Sequence, residues 1–237
     1  MCGRYSLTRR GEEILERFSI QEILMEREHL KPRYNIAPSQ MVTVVINKEG
    51  HRVLAEFKWG LIPFWAKEAK ATKALINARC ETVAEKPFFK KSLNKRRCLI
   101  PADGFYEWKR ENKEKIPMYI QVKDQDIFSF AGLWDEWTSP EGEVIRTCTI
   151  ITTNANEPMS GVHDRMPVII RLENEAIWLD PDIKDPAILQ SLLQPLDDQL
   201  IQMHEVSSRV NSPKQDTADL IERVLSQPKI WDLQKPQ

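Results

Sequence analysis

No stretch of this 237-residue chain is apolar for long enough to span a bilayer, and its first residues contain no apolar core of a secretory signal. The expectation is a cytoplasmic protein with no membrane partner. Its four cysteines, Cys2, Cys80, Cys98 and Cys148, lie far apart and form no C-x-x-C pair, which argues against a zinc ribbon or a dithiol redox centre. In a reducing compartment all four are expected as thiols. Nothing in the pattern asks for a metal or an organic cofactor. Internal repeats, low-complexity tracts and linker-like segments are missing too. Residues 1–237 are therefore expected to form a single monomeric domain, long enough to bury a substantial core.

What is there is an ordinary globular balance, 41% hydrophobic and 29% charged. The formal net charge of −1 hides an uneven distribution. Between Lys58 and Arg97 eleven Lys/Arg stand against three Glu, a local excess of +8, so the remainder carries −9. A basic block on a near-neutral chain points to an anionic partner such as nucleic acid; the plainer alternative is a solvated face.

The apolar pattern predicts many short strands with helices at the periphery. Gly11–Phe18 has helical spacing, and Pro32 and Pro38 bracket an extended segment. Met41–Asn47 and Arg52–Trp59 read as a hairpin. A helix interrupted by Pro87 is expected over Cys80–Leu93, then strand, turn and strand over Arg97–Trp108. Ile116–Val122, Ile127–Leu133, Val144–Thr152, Val168–Arg171 and Gln202–Ser207 continue the strand series. Helices are expected over Glu173–Leu179, Pro186–Leu193 and Thr217–Leu225. The sum is an α+β fold with a curled, mainly antiparallel, barrel-like sheet.

Cys2 stands out by position. Removal of Met1 would leave a free α-amine and a thiol on adjacent carbons, a pair no internal cysteine can offer. Such a 1,2-aminothiol attacks an aldehyde twice, nitrogen first and sulfur second, closing a thiazolidine ring. The alternative is an inert small apolar residue at the start of a strand.

Four further segments set polar groups into apolar surroundings. Asn77, between Ile76 and Ala78, offers donor and acceptor in a confined place, or else satisfies a loop backbone. Glu107 lies between Tyr106 and Trp108, where desolvation would favour acid/base work unless strand alternation turns it to solvent. His163, in a loop bounded by Gly161 and Pro167, suits a proton carrier or a structural role. Val206–Asn211 is a polar turn or the lining of a cleft. Among seven tryptophans, Trp59 and Trp108 read equally as core anchors, whereas Trp65 is the candidate for an exposed wedge that stacks on bases.

Met1-Cys2-Gly3-Arg4-Tyr5, Arg33-Tyr34-Asn35-Ile36-Ala37-Pro38, Trp59-Gly60-Leu61-Ile62-Pro63 and Ile76-Asn77-Ala78-Arg79-Cys80-Glu81-Thr82 follow one another in order. Gly104-Phe105-Tyr106-Glu107-Trp108, His163-Asp164-Arg165-Met166-Pro167 and Val206-Ser207 complete the series. Together they resemble the SRAP family, the SOS response-associated peptidases that process abasic sites, over nearly the whole chain. Cys80 falls where that family varies.

The resemblance implies covalent capture of abasic sites in single-stranded DNA. In it Cys2 would form the link, Glu107 would shuttle protons, His163 would assist Schiff-base formation and its reversal, and Asn77 would hold the sugar. Arg4 and Arg79 would contact flanking phosphates, with Arg165 a weaker candidate. Trp65, Pro38 and Ser39 complete the DNA-binding set. The protein would be nucleoid-associated when bound to DNA. Two alternatives stand beside this reading: a thiol peptidase or autopeptidase built on Cys2, and a single-stranded DNA-binding module without chemistry.

Overall fold

The computed structural model describes residues 2–66 and 74–224. Lys67, Lys70 and Lys73 of the basic block, and Leu225 at the end of the last expected helix, lie outside the described residues. The strands are β1 (Tyr5–Leu7), β2 (Glu22–Ile23), β3 (Arg33–Ile36), β4 (Met41–Lys48), β5 (His51–Trp59), β6 (Asn77–Arg79) and β7 (Arg97–Ala102). They continue with β8 (Gly104–Glu111), β9 (Glu114–Val122), β10 (Phe128–Thr138), β11 (Val144–Asn154), β12 (Arg165–Pro167), β13 (Ile169–Ile170) and β14 (Ile201–Glu205). The α-helices are short: α1 (Gly11–Arg17), α2 (Pro87–Lys95), α3 (Glu157–Ser160), α4 (Glu175–Leu179) and α5 (Pro186–Ser191).

Two sheets result. One has the order β14-β9-β8-β1-β3 and is antiparallel throughout. The other follows β12-β11-β10-β7-β4-β5-β2 and closes on itself, because β5 also pairs with β11 in parallel at Lys58–Thr147 and Trp59–Cys148. The ring β4-β5-β11-β10-β7 is the curled, barrel-like element that the strand pattern predicts. Its first hairpin needs a turn with two positive φ angles, and Glu49 (54°) and Gly50 (85°) supply them while the Asn47 side chain accepts the Gly50 N–H at 2.9 Å.

The two sheets meet through aromatic rings. Tyr5 of β1 lies edge-on to Trp59 of β5 at 5.4 Å and to Phe130 of β10 at 5.6 Å, and Phe105 of β8 meets Phe130 at 6.0 Å. All four rings are buried. Edge-to-face pairs of this kind add about 0.5–1.5 kcal/mol each beyond the area they bury. Trp59 is thus a core anchor.

Three local expectations change. Pro87 does not interrupt a helix but starts α2, where its missing N–H costs nothing, and residues 81–85 are turns. Among its described residues, the helix expected over Thr217–Leu225 is a 3-10 turn at Ala218–Ile221. The strand expected over Val168–Arg171 shrinks to Ile169–Ile170.

Gly104 at the head of β8 is dictated by close approach. A Cβ there would lie 2.2 Å from the ring and hydroxyl of Tyr119, which itself bonds Ser6 Oγ at 2.8 Å. Gly104→Ala is expected to cost about 1–3 kcal/mol through overpacking. Urea unfolding checks this, and an unchanged midpoint would show that the Tyr119 ring is free to move.

Candidate functional site

Residues ahead of β1 continue along β8. The Tyr106 N–H donates to the Arg4 carbonyl at 2.9 Å, extending the Tyr5–Phe105 register toward the N-terminus. Cys2 thereby reaches the core with no exposed surface. Burial pushes its thiol far above the ordinary 9.0, and the neighbouring Glu107 carboxylate pushes it the same way. The chain thus holds Cys2 as a neutral thiol close to Glu107. Glu107 itself is 3% exposed, so strand alternation does not turn it to solvent.

Glu107 and His163 line one cavity of about 440 Å³, together with Trp108, Arg110, Lys115 and Asn211. Cys2 and Asn77 lie outside that lining. His163 Nδ1 accepts the Arg165 backbone N–H at 2.9 Å and is 2.8 Å from an Asp164 carboxylate oxygen. One nitrogen cannot serve both at once. Accepting the N–H leaves the neutral ring its proton on Nε2, whereas a protonated Nδ1 would turn to Asp164.

Asn77 opens β6, which pairs in parallel with β11 through Asn77–Ile150. Its amide nitrogen and oxygen are both buried without a hydrogen-bond partner among the described residues. Leaving such groups unsatisfied costs about 1–3 kcal/mol. An arrangement of that kind suits a ligand better than a fold.

The arginines divide by use. Arg4 is buried: its Nη1 donates to Asn35 Oδ1 at 2.7 Å and to the Val210 carbonyl at 2.6 Å, and its guanidinium lies 5.8 Å from the Trp108 ring centroid. Asn35 donates in turn to the carbonyls of Val210, Ser212 and Gln215, so this network ties the 210–215 loop to β3 and to Arg4 just ahead of β1. Trp108 Nε1 donates to Asn211 Oδ1 at 2.7 Å and fixes the cavity wall. Arg165 is held by Glu81 at 2.6 and 2.9 Å, by Asn154 and by the Thr152 carbonyl. Arg79 is exposed and makes no ion pair among the described residues.

The basic block divides in the same way. Arg96 pairs with Asp135 and Glu136, and Arg97 donates to backbone carbonyls of Leu93, Trp178, Asp180 and Ile183. Lys86, Lys90, Lys91 and Lys95 remain exposed on or beside α2. Next to them lies an aromatic patch: Trp65, 49% exposed, is 5.4 Å from Phe88, and Lys91 Nζ sits 3.6 Å over the Phe64 ring. Pro38 is half-buried, and exposed Ser39, at φ 72°, donates its N–H to the Trp59 carbonyl.

Arg110 and Lys115 escape a sequence reading because the apolar pattern stops at Trp108 and resumes at Ile116. The signal that finds them is their equal distance from the Asn112-Lys113 turn, whose φ angles are 46° and 73°. Among the described residues no cluster of three or more His, Cys, Asp or Glu is arranged to hold a metal ion. No helix among them is long and apolar enough to cross a membrane.

Cys2 is buried beside Glu107, whose carboxylate shares a cavity with His163, on a closed barrel flanked by a second antiparallel sheet. The model of the SOS response associated peptidase (SRAP) family matches residues 1–213, and the chain belongs to that family. It is 52% identical over 223 residues to the abasic site processing protein YoqW of Bacillus subtilis, covering 94% of this chain and 99% of that one. It is 32% identical to the abasic site processing protein HMCES of Xenopus tropicalis, over 95% of this chain and 79% of the relative. A crystal structure of a Bacteroides thetaiotaomicron protein superposes with a TM-score of 0.86 at 30% identity, covering 94% of this chain and all of that one.

Three fully buried thiols, Cys2, Cys98 and Cys148, are all raised by burial. The folded chain keeps these protons where the unfolded chain loses them, above the thiol's ordinary 9.0. Stability is therefore full below that pH and falls as pH rises, by up to about 1.4 kcal/mol per pH unit and per thiol. Urea unfolding followed from neutral to alkaline pH should show this decline, and a flat profile would mean that water reaches the thiols.

Proposed function

We propose that this protein recognises abasic sites in single-stranded DNA and captures them covalently through Cys2 once Met1 has been removed. The observation that supports this most is the grouping of three reactive side chains. Glu107 shares a cavity with His163 and lies close enough to Cys2 to raise its thiol. Relatives that bear the name abasic site processing protein over nearly the full chain support the same substrate.

The chemistry balances without a cofactor. The Cys2 amine, with an unperturbed pKa of about 7.7–8.0, adds to the C1′ aldehyde of the ring-opened deoxyribose. The carbinolamine loses water to give a Schiff base. The Cys2 sulfur then adds to C1′, its proton passes to the former imine nitrogen, and a thiazolidine closes. One water leaves in all. Glu107 is the group that moves protons during ring opening and Schiff-base formation, and a neutral thiol needs a proton relay as it adds. His163 exchanges a proton in Schiff-base formation and in reversal of the link. Asn77, with both amide groups unspent, holds the sugar hydroxyl.

Arg79 contacts a flanking phosphate, with Arg4 and Arg165 as further candidates whose protein partners would have to share them. Trp65 stacks at the edge of the bound strand, and Pro38 and Ser39 border it. In this reading the domain spans 1–237, acts as a cytoplasmic monomer, and joins the nucleoid when bound to DNA.

The family description also names a peptidase. General thiol proteolysis needs a thiolate, and burial together with Glu107 moves the Cys2 thiol away from one. Self-removal of Met1 remains compatible with the capture reading, because it exposes the amine. A plain single-stranded DNA-binding module would use Trp65 and the α2 lysines and leave Cys2 idle.

Incubation with a single strand carrying a natural abasic site, followed by a denaturing gel, separates these. A heat-stable adduct should form and be lost in Cys2→Ala, whereas an adduct that survives the change would sink the aminothiol mechanism. Glu107→Gln should slow adduct formation with little change in non-covalent affinity; a parallel loss of affinity would make Glu107 structural. Yield should depend little on flanking sequence, because phosphate contacts carry no base information.

Asn77→Leu gives an independent check. It removes two unsatisfied polar atoms, so the unfolding free energy should rise by about 1 kcal/mol while adduct formation slows at least tenfold. A drop in stability would show that the Asn77 amide serves the fold instead.

A further inference from the structure

Arg110 and Lys115 stand directly opposite each other across the β8–β9 hairpin, in the register that also pairs Trp108 with Pro117. Both are exposed, and neither takes part in an ion pair among the described residues. Next to Arg110, Lys109 is neutralised by Glu111 at 3.0 Å. Like charges placed opposite each other on antiparallel strands repel and weaken a hairpin. The pair therefore works against the local fold.

What the two cations share is the cavity. Both line it beside Glu107, His163 and the Trp108 ring. Two positive charges that take part in no ion pair among the described residues draw a polyanion toward that space. Arg4 and Arg165 are already engaged by protein acceptors. Of the residues lining the cavity, the cations are Arg110 and Lys115.

We propose that Arg110 and Lys115 form a phosphate seat at the cavity mouth, one that receives the backbone phosphate adjoining the sugar that enters toward Glu107. This rests on the abasic-DNA reading and adds a contact to it. The planar guanidinium matches phosphate oxygens in a bidentate manner, and the ammonium adds a mobile point charge. Trp108, fixed by its bond to Asn211, gives the sugar an apolar wall beside that seat. The strand is thus gripped on the β8–β9 side as well as by Arg79 and α2.

The test uses a short single strand carrying a tetrahydrofuran abasic analogue, which has no aldehyde and cannot cross-link. Binding is measured over a salt series for the wild-type protein and for Arg110→Gln/Lys115→Gln. The dependence of log affinity on log salt should flatten by about 0.7 for each phosphate that the variant no longer neutralises. Replacing the phosphates beside the analogue one at a time with methylphosphonate should weaken wild-type binding at one position and leave the double variant indifferent there. An unchanged slope, or a methylphosphonate effect that persists in the variant, overturns the seat.

Relief of the like-charge repulsion should leave the unfolding midpoint of the double variant equal or higher. A lower midpoint would make the pair structural and overturn the proposal. Adduct formation by the wild-type protein on a natural abasic strand is read separately. Its absence would remove the capture reading, whereas the salt slope would still report whether the seat holds a phosphate.

Discussion

The burial of the Tyr5 ring between Trp59 and Phe130 is the contact on which the site depends. Tyr5 belongs to β1, a three-residue strand between β8 and β3 in the antiparallel sheet, and its ring reaches two strands of the closed barrel. Strands this short have little stability of their own. The aromatic packing fixes where β1 sits, and therefore where Cys2, three residues earlier, enters the core. Ser6 and Thr8 secure the other end by donating to the Asp103 carboxylate at 2.6 Å each. Cys2 is thereby part of the interior, close to Glu107.

A second constraint is how positive charge is spent. Arg97 and Arg4 are buried cations that donate mainly to carbonyls and an amide, and Arg17 pairs with the fully buried Glu175. Buried charges are tolerable only when their hydrogen bonds are met, so these guanidiniums act as fasteners for loops. The effect is most direct at Asn35, which joins Arg4 to three carbonyls of the 210–215 loop and so carries the cavity wall back to β1. Charge that remains at the surface is what a polyanion can find.

The sequence was most legible where chemistry and pattern coincide. Cys2, Asn77, Glu107 and His163 lie in recognisable motifs, and the strand alternation of β4, β5, β10 and β11 predicts a curled antiparallel sheet. The parallel β5–β11 pairing that closes the barrel was not legible, because nothing local in Lys58-Trp59 or Thr147-Cys148 marks them as neighbours. Charge was the least transparent signal. Arg96 and Arg97 count toward a basic block on paper, yet both are occupied by the fold. Arg110 and Lys115 look like hairpin padding until the register places them face to face. Pro87 shows the reverse problem: expected as the interruption of a helix, it is the start of one.

Complete burial of the Cys2 sulfur has a further meaning for a cell. Peroxides and alkylating electrophiles react with exposed thiolates, and this sulfur is neither exposed nor readily ionised. In the proposed capture, that reactivity would be latent, kept from the small oxidants that would consume it between encounters. A group used in this way is spent by proximity and not by exposure, so background chemistry in the cell would leave it intact.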